Sequence, residues 1–88
     1  MRINKDFTIQ EVGSSYVAVP VGKTSCSFHG MVRLNETGAF LWKKMTERDC
    51  TEEDLVNALL AEYEVDPAVA AQDVHRLVEQ LRQNDILV

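Results

Sequence analysis

The 88-residue chain carries little of what catalysis, metal binding or membrane insertion requires. Its two histidines, His29 and His75, have no serine or cysteine beside them in a recognisable nucleophile motif. Cys26 and His29 stand three apart in a segment that alternates like a strand. That puts thiol and imidazole on opposite faces, whereas a catalytic pair needs hydrogen-bond contact. Zinc prefers soft ligands of the kind Cys26, His29, Cys50 and His75 would offer, but Cys50 and His75 are solitary on separate elements, with no paired knuckle. Gly13, Gly22, Gly30 and Gly38 form no phosphate-binding loop. The expectation is a non-enzyme with no cofactor and no metal site. No stretch approaches the ~20 apolar residues of a membrane span. The polar opening MRINKDFTIQ does not read as a signal peptide. Both point to the cytoplasm, where two thiols are expected to stay reduced.

Positive charge is also scarce, with nine basic residues against fourteen acidic for a net charge of −5. Residues 1–35 hold four basic and two acidic residues, a balance of +2, while residues 36–88 hold five and twelve, a balance of −7. Duplex binding needs basic groups to displace counterions from phosphates, and the second half would repel them. A chain of this length buries only about 60–65% of its unfolded surface. That leaves little room for an enclosed active site and predicts one domain over residues 1–88.

What is present is alternation, then helical periodicity. FTIQEV (Phe7–Val12) alternates and meets the turn signal Gly13-Ser14-Ser15. SYVAVPV follows, with Val17, Val19 and Val21 on one side and Tyr16, Ala18 and Pro20 on the other. β-branched residues at period two mark a strand with one buried face. Pro20 cannot donate to a ladder and belongs near a strand end or an unpaired edge. FHGMVRL (Phe28–Leu34) alternates again, Phe28, Val32 and Leu34 against His29, Met31 and Arg33, completing an antiparallel meander. Gly30 within it allows a bulge or the close approach of another backbone.

At RLNETGAFLW the pattern changes. Asn35 caps a helix whose stripe is Ala39, Leu41, Trp42 and Met45. Thr51 opens a second, with Glu52, Glu53 and Asp54 at its positive end. Leu55, Leu59 and Tyr63, flanked by Val56 and Leu60, form its inward face. Asp66-Pro67 starts a third, with cap and first-turn proline, whose stripe is Ala70, Val74, Leu77, Val78 and Leu81. Asn84-Asp85 ends it, and ILV closes the chain as a short extended tip. The predicted class is α+β and winged-helix-like, a three-stranded antiparallel sheet followed by three helices.

A three-stranded sheet has two edges to cover, blunt or use. The third strand runs without proline, and the third helix has a mixed second face of Val69, Asp73, Arg76 and Gln80. An open strand edge beside that face makes a groove for an extended peptide, bound by main-chain hydrogen bonds and selected by side-chain pockets. Arg33 and Arg76, basic islands in an acidic protein, point to an acidic residue in that peptide. A proline at Val32 is expected to abolish binding, provided its N–H faces the incoming strand. An open edge also permits pairing with a second copy, giving a homodimer.

VRLNETGAFLWKKM, TEEDLVNALLAEYEVD and DVHRLVEQLRQNDIL together resemble the PqqD-like family. These are the small peptide-recognition domains, or RiPP recognition elements, of pathways that modify ribosomally made peptides. The resemblance runs from about Phe7 to Val88. It implies a non-catalytic peptide chaperone that holds the leader of a precursor peptide and presents it to a modifying enzyme, commonly a radical S-adenosylmethionine protein. It implies that the leader adds as a strand beside the third strand, in the cleft against the third helix. Carried over by position, the peptide-binding residues are Gly30, Met31, Val32, Arg33 and Leu34 on the strand, and Val69, Asp73, Arg76, Leu77 and Gln80 on the helix. Asp73 matches by motif and the others by place. Trp42 is expected to anchor the groove from below. The family's usual glycine near the last helical turn is Asp85 here, so the helix end is expected to close differently. The reading from another class is a winged-helix transcription regulator or a dimeric adaptor.

Overall fold

The computed structural model describes residues 1–21 and 32–88. In it the first two alternating segments fold back on one another at Gly13-Ser14. Strand β1 (Phe7–Val12) and strand β2 (Ser15–Pro20) pair antiparallel from Phe7 opposite Pro20 to Val12 opposite Ser15. Gly13 takes φ 63°, and Ser14 is not among the positive-φ residues. That is the pattern of a two-residue type II′ turn with glycine first, whose twist matches that of the strands it joins. Strand β3 (Val32–Leu34) pairs antiparallel with β2, so the order is β1-β2-β3 with β2 in the centre. The predicted start of this strand, Phe28–Met31, lies outside the described residues, as do Cys26 and His29.

Three helices follow: α1 (Glu36–Glu47), α2 (Glu52–Glu62) and α3 (Pro67–Gln83). Each starts where a side chain satisfies an otherwise unpaired N–H group. Asn35 Oδ1 accepts from the Gly38 N–H at 2.8 Å. Asp66 Oδ1 accepts from the Ala68 N–H at 2.8 Å, with Pro67 at the first helical position. Thr51 and Asp54 form a reciprocal capping box, each side chain accepting from the other's backbone N–H at 3.1 and 3.0 Å. The Thr51 N–H is the main reason the Asp54 carboxyl titrates below the ordinary aspartate range.

The helices cover one face of the sheet, and the register decides which. Phe7, Ile9, Tyr16, Ala18, Val32 and Leu34 share that face, and all pack in or against the core. β2 has the one buried face expected of it, and the structure assigns that face to the side carrying Ala18. Ala18, 1% exposed, turns inward, and Val17 and Val19 lie half-buried on the outer face. Valine fits any pleated surface, so its β-propensity reports a strand without reporting which side is covered. A small residue inward also suits the packing of α1 onto the central strand. The stripes of α1 and α3 are buried as the periodicity predicts. On α2 only Leu55 and Leu59 are buried; Tyr63 and Val56 are half-buried and Leu60 is 37% exposed, so the inward face is narrower than predicted. Tyr63 stands edge-on to Phe40, ring centres 5.6 Å apart. Pro20 ends its strand, as predicted. Cys50 is a free, buried thiol within the core.

The end of α3 corrects one expectation. Asp85 adopts φ 58°, the left-handed conformation for which glycine is favoured. Its N–H donates to the Arg82 carbonyl at 3.1 Å, and the Ile86 N–H donates to the Leu81 carbonyl at 3.0 Å. This pair of bonds is a Schellman closure, with Leu81 and Ile86 both fully buried across it. The short polar side chain of aspartate tolerates the conformation, so the helix closes as it would with glycine. Residues 86–88 then pair with residues 2–4. The Arg2 N–H and Val88 N–H donate to each other's carbonyls at 3.1 and 2.9 Å, and Asn4 N–H donates to Ile86 at 2.7 Å. This ribbon, absent from the sequence reading, sits against the end of α1, where the Ile3 N–H meets the Met45 carbonyl.

Candidate functional site

Helix α1 packs onto β2 and β3, while α3 packs chiefly against α2. Between β3 and α3 a cleft of about 410 Å³ remains. Its sheet-side wall is Arg33, Leu34 and Asn35, and its helix-side wall is Asp73, Arg76, Leu77 and Gln80, with Ser15 and Thr37 at one end. Gly38 and Leu41 of α1 and Leu59 of α2 also line it. The strand-to-helix junction sets its width. A Cβ on Gly38 would stand 3.2 Å from Asn35 Oδ1 and 3.3 Å from Leu34 Cβ, so glycine lets the first turn of α1 lie against the strand end. Asn35 Oδ1 holds that angle by accepting from both the Gly38 N–H and the Thr37 hydroxyl.

Ladder geometry fixes which backbone groups face the cleft. The Val21 N–H donates to the Asp6 carbonyl at 2.8 Å, making those opposed residues a hydrogen-bonded pair. Such pairs alternate with non-bonded ones in an antiparallel ladder. The next pair, Phe7 and Pro20, is non-bonded, which suits a proline with no N–H. Continuing the alternation, Val17 bonds toward β1, and Tyr16 and Ala18 bond toward β3. Their partners Leu34 and Val32 are therefore used up by β2, and Arg33, opposite Val17, turns its N–H and C=O outward. The condition attached to the proline at Val32 is not met, since Val32 faces β2; Arg33 is the residue that faces the margin. Among the described residues no strand pairs with β3 on that side.

The predicted site residues divide accordingly. Arg33, Leu34, Asp73, Arg76, Leu77 and Gln80 come together around the cleft. Val32 is in the strand but its side chain is core. Val69, 45% exposed, lies one turn before Asp73 and does not line the cleft. Gly30 and Met31 lie outside the described residues. Trp42 is buried but is not a lining residue, and its neighbour Leu41 lines the cleft instead. Leu41, Leu59, Gly38, Asn35, Thr37 and Ser15 were missed as site residues. The two leucines sit in ordinary core stripes, where nothing local distinguishes a cleft lining from a core.

The cleft's charge is sparse. Arg76 Nη1 lies 4.0 Å from Asp73 Oδ1, both side chains largely exposed, a pair worth little in water. Arg33 forms no ion pair among the described residues. Nearby, His75 Nδ1 meets Glu52 Oε1 at 3.1 Å and ties α3 to the start of α2. No group of three or more His, Cys, Asp or Glu among the described residues could hold a metal ion. No helix among them is long and apolar enough to cross a membrane.

A family model described as coenzyme PQQ synthesis protein D (PqqD) matches residues 16–87. The chain belongs to the PqqD family. That match takes in β2, β3, all three helices and the whole cleft. No curated protein sequence matches this PqqD-family chain. Two solved structures share its fold. One is TbiB1 in complex with the TbiA(beta) leader peptide, with a TM-score of 0.73 at 22% identity, covering 99% of this chain and 94% of that one. The other is a lasso peptide synthetase B1 complexed with the leader peptide, with a TM-score of 0.71 at 22% identity, covering 99% and 95%.

Proposed function

We propose that this PqqD-family chain is a non-catalytic recognition domain that binds the leader of a ribosomally made precursor peptide and presents it to a modifying enzyme. The leader adds as a strand on the open side of β3, in the cleft against α3. The observation that carries this reading is the outward N–H and C=O of Arg33 beside a cleft lined by Leu41, Leu59 and Leu77. A guest strand there gains main-chain hydrogen bonds and apolar burial together. Residues 86–88, which could have capped that margin, pair with residues 2–4 instead. That both structural neighbours are complexes with leader peptides supports a leader peptide as the guest. The partner enzyme is expected to be a radical S-adenosylmethionine protein or another peptide-modifying enzyme.

The test is a titration of the 15N-labelled chain with leader peptides encoded near its gene. Shifts are expected to cluster on Arg33–Gly38 and on Asp73–Gln80. Shifts confined to α2 would refute the groove assignment.

A further inference from the structure

Strand addition at β3 fixes the facing of every guest side chain, because directly opposed residues share a face. Guest residues opposite Val32 and Leu34 point to the helix side, into the cleft. The guest residue opposite Arg33 points the other way, onto the outer face of the sheet. There the cross-strand row reads Gln10, Val17, Arg33 and then the guest. The described strand residues on that face are Thr8, Gln10, Val12, Ser15, Val17, Val19 and Arg33, and Arg33 is the charged one among these strand residues. The guanidinium is exposed and has no carboxylate partner among the described residues.

Resting on the strand-addition reading above, we propose that the guest residue opposite Arg33 is acidic and pairs across the strands with the Arg33 guanidinium. Its two immediate neighbours are apolar and face Leu41, Leu59 and Leu77. The recognised element is an apolar–acidic–apolar triplet, read from both faces of the sheet. The carboxylate is not a cleft ligand of Arg76. Asp73 already stands beside that guanidinium, and the apolar part of the cleft is Leu34, Leu41, Leu59 and Leu77. Opposite charges directly across two strands favour pairing, and like charges disfavour it. In a chain of net charge −5, long-range attraction does not recruit an acidic peptide, so the preference must come from this one contact.

The experiment is selection of a phage-displayed library of random peptides on the full chain and on Arg33→Gln and Arg33→Glu, each checked for fold by circular dichroism. The wild type is expected to enrich aliphatic or aromatic residues two apart with Asp or Glu between them. Arg33→Gln should erase the central preference and Arg33→Glu should invert it to Lys or Arg. Affinity of an acid-centred peptide should fall roughly two- to fivefold on Arg33→Gln. Enrichment of the apolar pair with an indifferent centre would overturn the Arg33 pairing and leave strand addition standing. Loss of the acidic preference on Arg76→Gln instead would place the carboxylate in the cleft and overturn the pairing as well. Recovery of no enriched peptide, or of peptides whose binding survives Arg33→Pro, would overturn both readings.

Discussion

The sheet has two margins, and they differ in everything except being edges. β1 is the longer strand, and by the same alternation Ile9 and Glu11 turn their N–H and C=O groups outward along it. Thr8, Gln10, Glu11 and Val12 are exposed there, and none of the β1 strand residues lines the β3–α3 cleft. β3 is half as long, yet it runs beside a cleft whose opposite wall is α3. An unpaired edge offers hydrogen bonds that water offers equally well. On the proposed reading, what turns an edge into a site is a second wall that buries the guest's side chains while the ladder forms. The position of α3, held on α2 and away from β3, supplies that wall.

The largest effect expected from perturbing this arrangement is structural. Val32→Pro removes a donor bonded to β2 and disturbs a side chain that is 1% exposed. It should cost about 3 kcal/mol or more, visible as a cooperative loss of stability in urea. Moving the same substitution one residue separates folding from binding. Arg33→Pro removes an outward N–H at an edge position where proline is tolerated, so the melting curve should change little while leader affinity drops at least about tenfold. Glu11→Pro removes an equivalent outward N–H from the other margin and should leave affinity unchanged. Equal losses from both prolines, read by isothermal titration, would erase the distinction between the margins.

Smaller effects sharpen the supports of the cleft. Thr51→Ala breaks the capping box at the start of α2, which carries Leu59, and should cost about 1 kcal/mol. The same box makes stability depend on pH. The Asp54 carboxyl is held below its ordinary value in the folded chain, chiefly by the Thr51 N–H. Its contribution is therefore complete above the unfolded pKa, about 3.9, and is lost as pH falls through the folded value. Asp54→Asn should flatten that acid limb in a denaturation series. Far from the cleft, Asp85→Gly relieves a left-handed non-glycine residue and should stabilise by up to about 1 kcal/mol, with no effect on leader binding.

Much of this was legible in residue order because it is local. Caps at Asn35, Thr51 and Asp66 and the stripes of α1 and α3 are written in side-chain chemistry and period, and they emerged as read. What was not legible depends on partners distant in sequence. Which face of β2 is buried follows from where the helices land, so alternation alone leaves the valine side and the Ala18 side undecided. Pairing of residues 2–4 with 86–88 joins segments more than eighty residues apart, with no alternation long enough to announce it. Leu41 and Leu59 look like any core leucines until α3 stands off from β3. Arg33 was singled out for its charge, whereas its backbone direction, set by the phase of the ladder, gives it the central place.

Amide hydrogen exchange at Arg33, with and without the leader peptide, tests that place most directly. The account predicts that the Arg33 N–H exchanges readily in the unliganded chain and becomes protected by an order of magnitude or more when leader binds, while the Glu11 N–H keeps its rate. Protection appearing at Glu11, or an Arg33 rate untouched by a saturating leader, would contradict it.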